Sequence, residues 1–135
     1  MIFQVPYWDV HNVWPRVAPF IQKALDEQNE WDLASVYSKL TNINDPIPMQ
    51  LWVVPWSAAL VTQVLTFPKS RKCVLFLCGG EDCLAELKQV PDTIEPWAKS
   101  IGCSHFLIVG RKGWRRALPD FNESGSIMEK DIWHH

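Results

Sequence analysis

The sequence predicts a single α/β domain, spanning residues 1–135, in which helices cover a mixed β-sheet. Three strand-like runs rich in Val, Leu, Trp and Phe lie at residues 49–55, 58–67 and 72–78. Their connections are short, and short connections favour an antiparallel meander. A helical stretch at residues 81–100 then leads into another apolar run, 104–109, and strands joined by a helical crossover in one sheet run parallel. Both strand directions are therefore expected in one sheet.

The composition is that of one globular domain. A chain of 135 residues is the size of an ordinary domain, and half of it would be too small to bury a good core. Hydrophobic residues make up 47% and charged residues 21%, and the formal net charge of -2 gives no global reason to expect nucleic acid as a partner. The longest apolar stretches, such as 51–65, are interrupted before they reach the roughly 20 residues that span a bilayer, so no membrane partner is expected.

The N-terminus and the cysteines indicate a cytoplasmic protein. Residues 1–9 have no basic start and no small-residue cleavage site, so the chain is not predicted to be secreted. The four cysteines are Cys73, Cys78, Cys83 and Cys103, and three lie in or beside apolar runs, which predicts reduced and mostly buried thiols. Cys78 and Cys83 lack the tight spacing and the matching second pair of a zinc site, so no metal is predicted.

Two helices are predicted ahead of the meander. Apolar residues recur at helical spacing between residues 10 and 28 and again between residues 31 and 40. We expect Pro15 to lie in the first turn of the first helix, where its missing N–H costs little. Pro19 is awkward in a helix interior, and it predicts either a kink or a helix that begins after Ala18.

After the meander, Gly79-Gly80 breaks the strand pattern and Pro91 interrupts the helical stretch 81–100. Asp92 is the predicted N-cap of the second helical piece, with Ile94, Trp97 and Ala98 facing inward. Gly102 stands where a left-handed residue ends a helix. The nearly all-apolar run 104–109 is typical of a strand buried on both faces. A short helix at 111–118 and a last strand at 125–132 complete the predicted order.

Residues 94–103, Ile-Glu-Pro-Trp-Ala-Lys-Ser-Ile-Gly-Cys, resemble the end of a helix in GNAT (acetyltransferase-type) proteins. These proteins commonly carry a Trp-Ala…Gly-Cys pattern before a buried strand, which is 104–109 in this chain. The continuation Gly-Arg-Lys-Gly-Trp-Arg-Arg-Ala-Leu at 110–118 is similar to a variant found in small proteins of tailed bacteriophages. Gly79-Gly80 and the closing Met-Glu-Lys-Asp-Ile at 128–132 fit the same variant.

The resemblance covers roughly residues 49–132 and implies a GNAT-like mixed sheet with N-terminal helices, a meander, a crossover helix and C-terminal strands. It also implies a glycine-rich turn after the last meander strand, where backbone N–H groups meet the pyrophosphate of acetyl-CoA. Gly79 and Gly80 occupy that turn, but the expected Gln or Arg and the later glycine are missing. Glu81 and Asp82 place two carboxylates there instead, and these suit the N-terminus of the following helix.

The resemblance further implies a proton donor for the departing thiolate, commonly a Tyr, and a general base for the amine. Phe121 stands near the expected Tyr, so Cys103 is the remaining donor candidate, although a Cys there is more often a core residue. His105 titrates in the right range for the base. Glu81 and Asp82 are alternatives to His105, and each of the three is also consistent with an ordinary structural role.

Four basic residues surround one Trp in the run Arg111, Lys112, Gly113, Trp114, Arg115 and Arg116. Such a cluster can hold CoA phosphates or nucleic acid, or it can bind an acidic protein surface with Trp114, Arg115 and Arg116 as anchors. It is equally consistent with a solvated helix whose Trp packs in the core. Five further Trp lie in the N-terminal half, and exposed members of that set would indicate a partner.

Three functional hypotheses follow. The first is a GNAT-fold phage protein without cofactor that works by binding other phage or virion proteins, in the host cytoplasm or in the virion. The second is a divergent acetyl-CoA-dependent N-acyltransferase that uses Gly79 and Gly80 with the basic cluster. The third is a small nucleic-acid-binding module, whose binding would weaken with salt.

Overall fold

The computed structural model describes residues 1–28, 30–81, 83–109, 122–124 and 127–132. Five helical segments and seven strands lie in these ranges. In chain order they are β1 (Phe3–Val5), a 3-10 turn (Tyr7–Asp9), α1 (Val10–Leu25), α2 (Leu33–Thr41), β2 (Met49–Val54), β3 (Ala58–Thr66), β4 (Arg71–Gly80), α3 (Cys83–Leu87), α4 (Val90–Ser100), β5 (His105–Val109), β6 (Asn122–Ser124) and β7 (Ile127–Asp131). No helix in this described part is long and apolar enough to cross a membrane.

The described strands form one mixed sheet in the order β1-β2-β3-β4-β5-β7-β6. Strands β1 to β4 pair antiparallel, β4 and β5 pair parallel, and β7 pairs antiparallel with both β5 and β6. The predicted meander, crossover and mixed sheet are thus confirmed. The predicted short helix at 111–118 lies outside the described residues.

Helices pack on both faces of the sheet. On one face, α1 and α2 bury Val17, Ile21 and Val36 against Leu51 and Val61. On the other face, Leu87 of α3 and Ile94 and Ala98 of α4 pack against Leu75 and Phe106. The charged residues therefore lie mostly outside the two cores, and among the described residues Glu95 is the one buried carboxylate.

Helix α1 runs unbroken through both of its prolines. It begins at Val10, so it does not start after Ala18, and Pro15 lies in the second turn rather than the first. A proline inside a helix costs about 3 kcal/mol because it removes a hydrogen bond and crowds the preceding turn. Burying a Val, Ile or Leu side chain returns about 1.5–3 kcal/mol. Five buried residues in α1, namely Val10, Val17, Ile21, Ala24 and Leu25, therefore outweigh the two prolines.

Helix α2 begins two residues later than predicted because Asp32 caps it. The Asp32 Oδ1 atom accepts a hydrogen bond of 2.8 Å from the Ser35 backbone N–H. This is the usual N-cap arrangement, in which a side chain satisfies an N–H that has no partner inside the helix. Hydrogen bonds from the Ser35 side chain and backbone lower the pKa of Asp32, so the cap is charged at neutral pH.

We expect Asp32→Ala to lower the thermal midpoint by about 2–4 °C, because one end of α2 loses its cap. Asp32→Asn keeps an oxygen acceptor and should cost less. The folded-state pKa lies below the unfolded value, so this stabilisation is present above the unfolded pKa and is lost as the pH falls through the folded one. Circular dichroism melts across the acid range should show the gap between wild type and Asp32→Ala closing. A gap that persists in acid would contradict a charged cap.

Helix α4 starts at Val90, with Gln89 rather than Asp92 as its N-cap residue. The reason is Pro91, which falls in the first turn, where proline is favoured and its missing N–H is harmless. Asp92 lies within that first turn, where a carboxylate favours the helix dipole. The helix ends as predicted, since Gly102 has φ +90.

Strand β5 is fully buried on one face only. Phe106 and Ile108 are completely buried against α4, whereas His105 and Leu107 on the other face are half-buried. The prediction of burial on both faces was therefore wrong for this strand. The reason is that α1 and α2 pack over β2, β3 and β4, and the described residues of β5 contribute nothing to that core.

The predicted burial of most cysteines and the exposure of some N-terminal Trp are confirmed. None of the four cysteines forms a disulfide, and all except the half-buried Cys83 are buried. Of the five N-terminal Trp, Trp8 and Trp56 are 64% and 47% exposed. Trp52 is buried, and its ring meets the Trp97 ring edge-on with centroids 5.1 Å apart.

Candidate functional site

Strand β4 carries a bulge just beyond its last described pair with β5. Thr62 of β3 pairs with Leu75, but the preceding Val61 pairs with Leu77, so Phe76 is an extra residue on β4. A bulge bends its strand and increases its twist. The described ladder between β4 and β5 runs only from Lys72 to Leu75. The described pairing of β4 with β5 therefore stops just before the bulge, and residues 76–80 of β4 extend beyond it.

The α1–α2 connection packs over this bulge. The Phe76 ring contacts the Trp31 ring, with centroids 6.2 Å apart and the planes tilted by 53°. The Lys39 ammonium lies 5.8 Å from the Trp31 ring centroid, and it also forms an ion pair of 3.0 Å with Asp45. The Trp31 ring thus packs over the bulge, and Lys39 of α2 lies against that ring.

The two glycines that end β4 are required by packing. A Cβ atom on Gly79 would lie 1.8 Å from the Phe20 carbonyl oxygen, so α1 rests directly on the strand backbone. A Cβ atom on Gly80 would lie 2.3 Å from the Ser57 carbonyl oxygen. The pair therefore has a structural explanation that needs no ligand, and it also leaves this end of β4 without side chains.

A lysine that the sequence did not single out reaches this end of β4. The Lys23 Nζ atom donates a 3.2 Å hydrogen bond to the Gly80 carbonyl oxygen. Arg16, two turns earlier on α1, places its guanidinium 4.5 Å from the Trp56 ring centroid. The spacing of seven residues puts both cations on one face of α1, and that spacing is the only signal the sequence offers. The carboxylate of Glu81 follows directly and is exposed, so the turn carries both signs of charge.

His105 lies at the opposite end of the sheet. Its partner on β4 is Lys72, eight residues before Gly80, which is roughly 26 Å along a strand. The His105 Nδ1 atom is 2.9 Å from the Ser104 hydroxyl. The structure therefore does not bring His105 together with Gly79, Gly80 and Glu81.

Cys103 lies at the same end of the sheet as His105, just before β5. It is completely buried, and this burial raises the pKa of its thiol. A raised pKa makes the thiol a weaker proton donor than an exposed cysteine. The environment is that of a core residue.

The remaining predicted site residues lie outside the described residues. They are Asp82, Phe121, Arg111, Lys112, Trp114, Arg115 and Arg116. Their assigned roles in holding CoA phosphates, nucleic acid or a protein partner stay predictions. Among the residues that are described, no group of three or more His, Cys, Asp or Glu side chains is placed to hold a metal ion.

The antiparallel meander, the helical crossover and a fourth strand that pairs parallel with the fifth define the fold class: this is the fold of GNAT N-acetyltransferases. Similar solved structures include an N-acetyltransferase from Staphylococcus aureus Mu50, with a TM-score of 0.62, 9% identity, and coverage of 98% of this chain and 97% of that one. The ribosomal-protein-S18-alanine N-acetyltransferase from Escherichia coli has a TM-score of 0.60 and 14% identity over 98% and 93%.

The PaiA N-acetyltransferase from Thermoplasma acidophilum, solved in complex with coenzyme A, has a TM-score of 0.55 and 11% identity, and the match covers 97% of this chain and 98% of that one. Identities this low establish the fold alone. Sequence comparison matches no protein-family model and no curated protein.

Proposed function

We propose that the protein is an acyl-CoA-dependent N-acyltransferase. The observation that carries the proposal is that the described pairing of β4 with β5 ends before the Phe76 bulge, within a fold whose solved neighbours are N-acetyltransferases. One of those neighbours was solved with coenzyme A. We place an extended ligand beside residues 76–80 of β4, beyond the last described pair with β5.

The groups at residues 76–80 of β4 suit a CoA thioester. Backbone N–H and C=O groups at the edge of a strand can bind an extended, amide-bearing chain as a further strand would. At the end of β4, Lys23 supplies a cation within reach of a diphosphate. Glu81 opposes this charge, so the turn should bind phosphate more weakly than a turn with cations alone.

When bound, the thioester supplies an activated acyl carbonyl. The protein positions an amine against that carbonyl, with Trp31 and Phe76 as the apolar side of the acceptor position. Excluding water there favours the amine as nucleophile. His105, roughly 26 Å along the sheet from the end of β4, takes no part in this proposal.

Acetyl-CoA is expected to raise the thermal midpoint, because a ligand that binds only the folded state stabilises it. Release of free CoA in the presence of a panel of primary amines, followed with a thiol reagent, tests transfer. Lys23→Ala should weaken acetyl-CoA binding about fivefold, which is about 1 kcal/mol. Arg16→Ala is the matched control, since it removes a cation from the same face of α1 at the Trp56 ring.

A midpoint that does not move at millimolar acetyl-CoA, together with no release of CoA, would refute the proposal. If Lys23→Ala and Arg16→Ala weaken acetyl-CoA binding equally, the proposal that the protein binds CoA stands, but Lys23 has no specific role in that binding.

Exposed aromatic side chains favour a second candidate function. Phe3, Trp8 and Trp56 are all about half exposed or more, and exposed aromatic side chains are typical anchors of protein interfaces. They support a non-catalytic interaction protein, which under the phage resemblance would act in the virion or its assembly. Copurification with phage particles, lost on Trp8→Ala and Trp56→Ala, would favour this candidate. Acyl transfer with wild-type rates in those variants would favour the enzyme.

A further inference from the structure

Cys78 and Cys83 stand on either side of the turn that joins β4 to α3. The Cys83 thiol donates a hydrogen bond to the Cys78 carbonyl oxygen, with the two atoms 3.1 Å apart. In return, the Cys78 Sγ atom lies 4.0 Å from the Cys83 carbonyl oxygen. Each sulfur therefore lies against the backbone of the other residue.

We propose that Cys78 and Cys83 are a disulfide-forming site that oxidation closes and thiols reopen. Four residues separate the two cysteines, and two of them are Gly79 and Gly80. Each sulfur already lies within 4.0 Å of the other residue's carbonyl oxygen, so closure needs side-chain rotation and a small backbone adjustment rather than rearrangement of the fold.

The environment of the four cysteines confines oxidation to this pair. Cys83 is half-buried and accessible to a small oxidant, and Cys78 lies beside it. Cys73 and Cys103 are completely buried, and burial raises the pKa of both thiols. The thiolate is the reactive form, so these two buried thiols are protected and serve as internal controls.

A hydroperoxide such as hydrogen peroxide is the oxidant that the step requires. The Cys83 sulfur attacks a peroxide oxygen, the O–O bond breaks, and Cys83 becomes a sulfenic acid with release of one water. The Cys78 sulfur then attacks the Cys83 sulfur, an S–S bond forms, the S–O bond breaks, and a second water leaves. In total two thiols are oxidised by two electrons, and both thiol protons end in water.

The consequence for acetyl-CoA binding rests on the proposed function. The disulfide would tie the first residue of α3 to β4 across the turn that Lys23 and Phe20 already hold from the other side. A turn closed in this way cannot widen to admit a diphosphate. The oxidised protein should therefore need at least tenfold more acetyl-CoA for the same rise in thermal midpoint, and a reducing thiol should restore the response.

The covalent site is tested without reference to CoA. Mild hydrogen peroxide should lower the intact mass by about 2 Da without forming dimers, because two hydrogens leave as a disulfide closes. Cleavage after Lys72, Glu81 and Glu86 places the two cysteines on separate peptides, 73–81 and 82–86. These peptides should be joined after oxidation, and fragmentation should place the link on Cys78 rather than Cys73. This mapping uses the wild-type chain and so depends on no variant folding.

Single-cysteine variants test which thiols form the disulfide. Cys83→Ser and Cys78→Ser should each abolish the mass loss, and Cys103→Ser should keep it. A disulfide that includes Cys73 or Cys103, or loss of 2 Da in Cys83→Ser, would overturn the site, as would oxidation of Cys83 to sulfinic acid with no disulfide. If the joined peptides form but the reduced protein does not respond to acetyl-CoA, the disulfide site stands and the proposed function falls.

Discussion

Gly79→Ala is expected to destabilise the protein by about 3 kcal/mol or more, enough to unfold a marginally stable domain. The added Cβ atom would lie 1.8 Å from the Phe20 carbonyl oxygen and 2.7 Å from its carbon. Both are backbone atoms of α1, so no side-chain rotation relieves the overlap. The helix must lift from the sheet, and the contacts of Val17 and Ile21 with the core loosen with it.

Gly102→Ala is the matched control for that substitution. Gly102 has φ +90, so alanine there is strained, but the nearest atom to its Cβ would be an Arg71 nitrogen at 3.7 Å, which is an ordinary contact. Strain alone should cost about 1–2 kcal/mol. Urea unfolding of the two variants measures the difference. Equal destabilisation by the two would show that α1 does not press on Gly79.

The architecture could be predicted from the sequence because the strongest sequence patterns were local. The meander runs are long, apolar and separated by short polar breaks, and Gly102 marks the end of α4 unambiguously. The short strands could not be predicted from the sequence. β1 has three residues followed by Pro6, and it exists because it pairs with Leu51 to Val53 of β2. Likewise β6 depends on pairing with β7, and a three-residue strand shows no periodicity of its own.

Less of the candidate site could be predicted from the sequence, for physical reasons. The bulge at Phe76 lies inside the continuous apolar run Cys73 to Cys78, where every residue is hydrophobic and an extra one leaves no trace. Lys23 meets Gly80 across 57 residues of sequence, and only the docking of α1 brings them together. The glycine pair was visible, but its contact with Phe20 was not, so a packing requirement resembled a ligand-binding motif.

Thr62→Val is the second substitution expected to have a large effect, a loss of about 2–3 kcal/mol in the free energy of unfolding. Thr62 is completely buried next to the bulge. Its hydroxyl accepts a 2.9 Å hydrogen bond from the Trp52 indole N–H and donates one of 2.9 Å to the Gln50 side-chain oxygen. Valine has nearly the same shape, so packing is retained while both polar groups lose their partner.

The Trp52 N–H should carry most of the cost. Gln50 is only half-buried, so its amide can turn towards water, whereas Trp52 is 4% exposed and its ring is fixed against Trp97. Thr62→Ser keeps the hydroxyl and loses one methyl group, which should cost about 1 kcal/mol. Denaturant unfolding followed by tryptophan fluorescence compares the two. If Thr62→Val is no less stable than Thr62→Ser, then the buried hydrogen bonds add nothing, and packing alone fixes β2 and β3 beside the bulge.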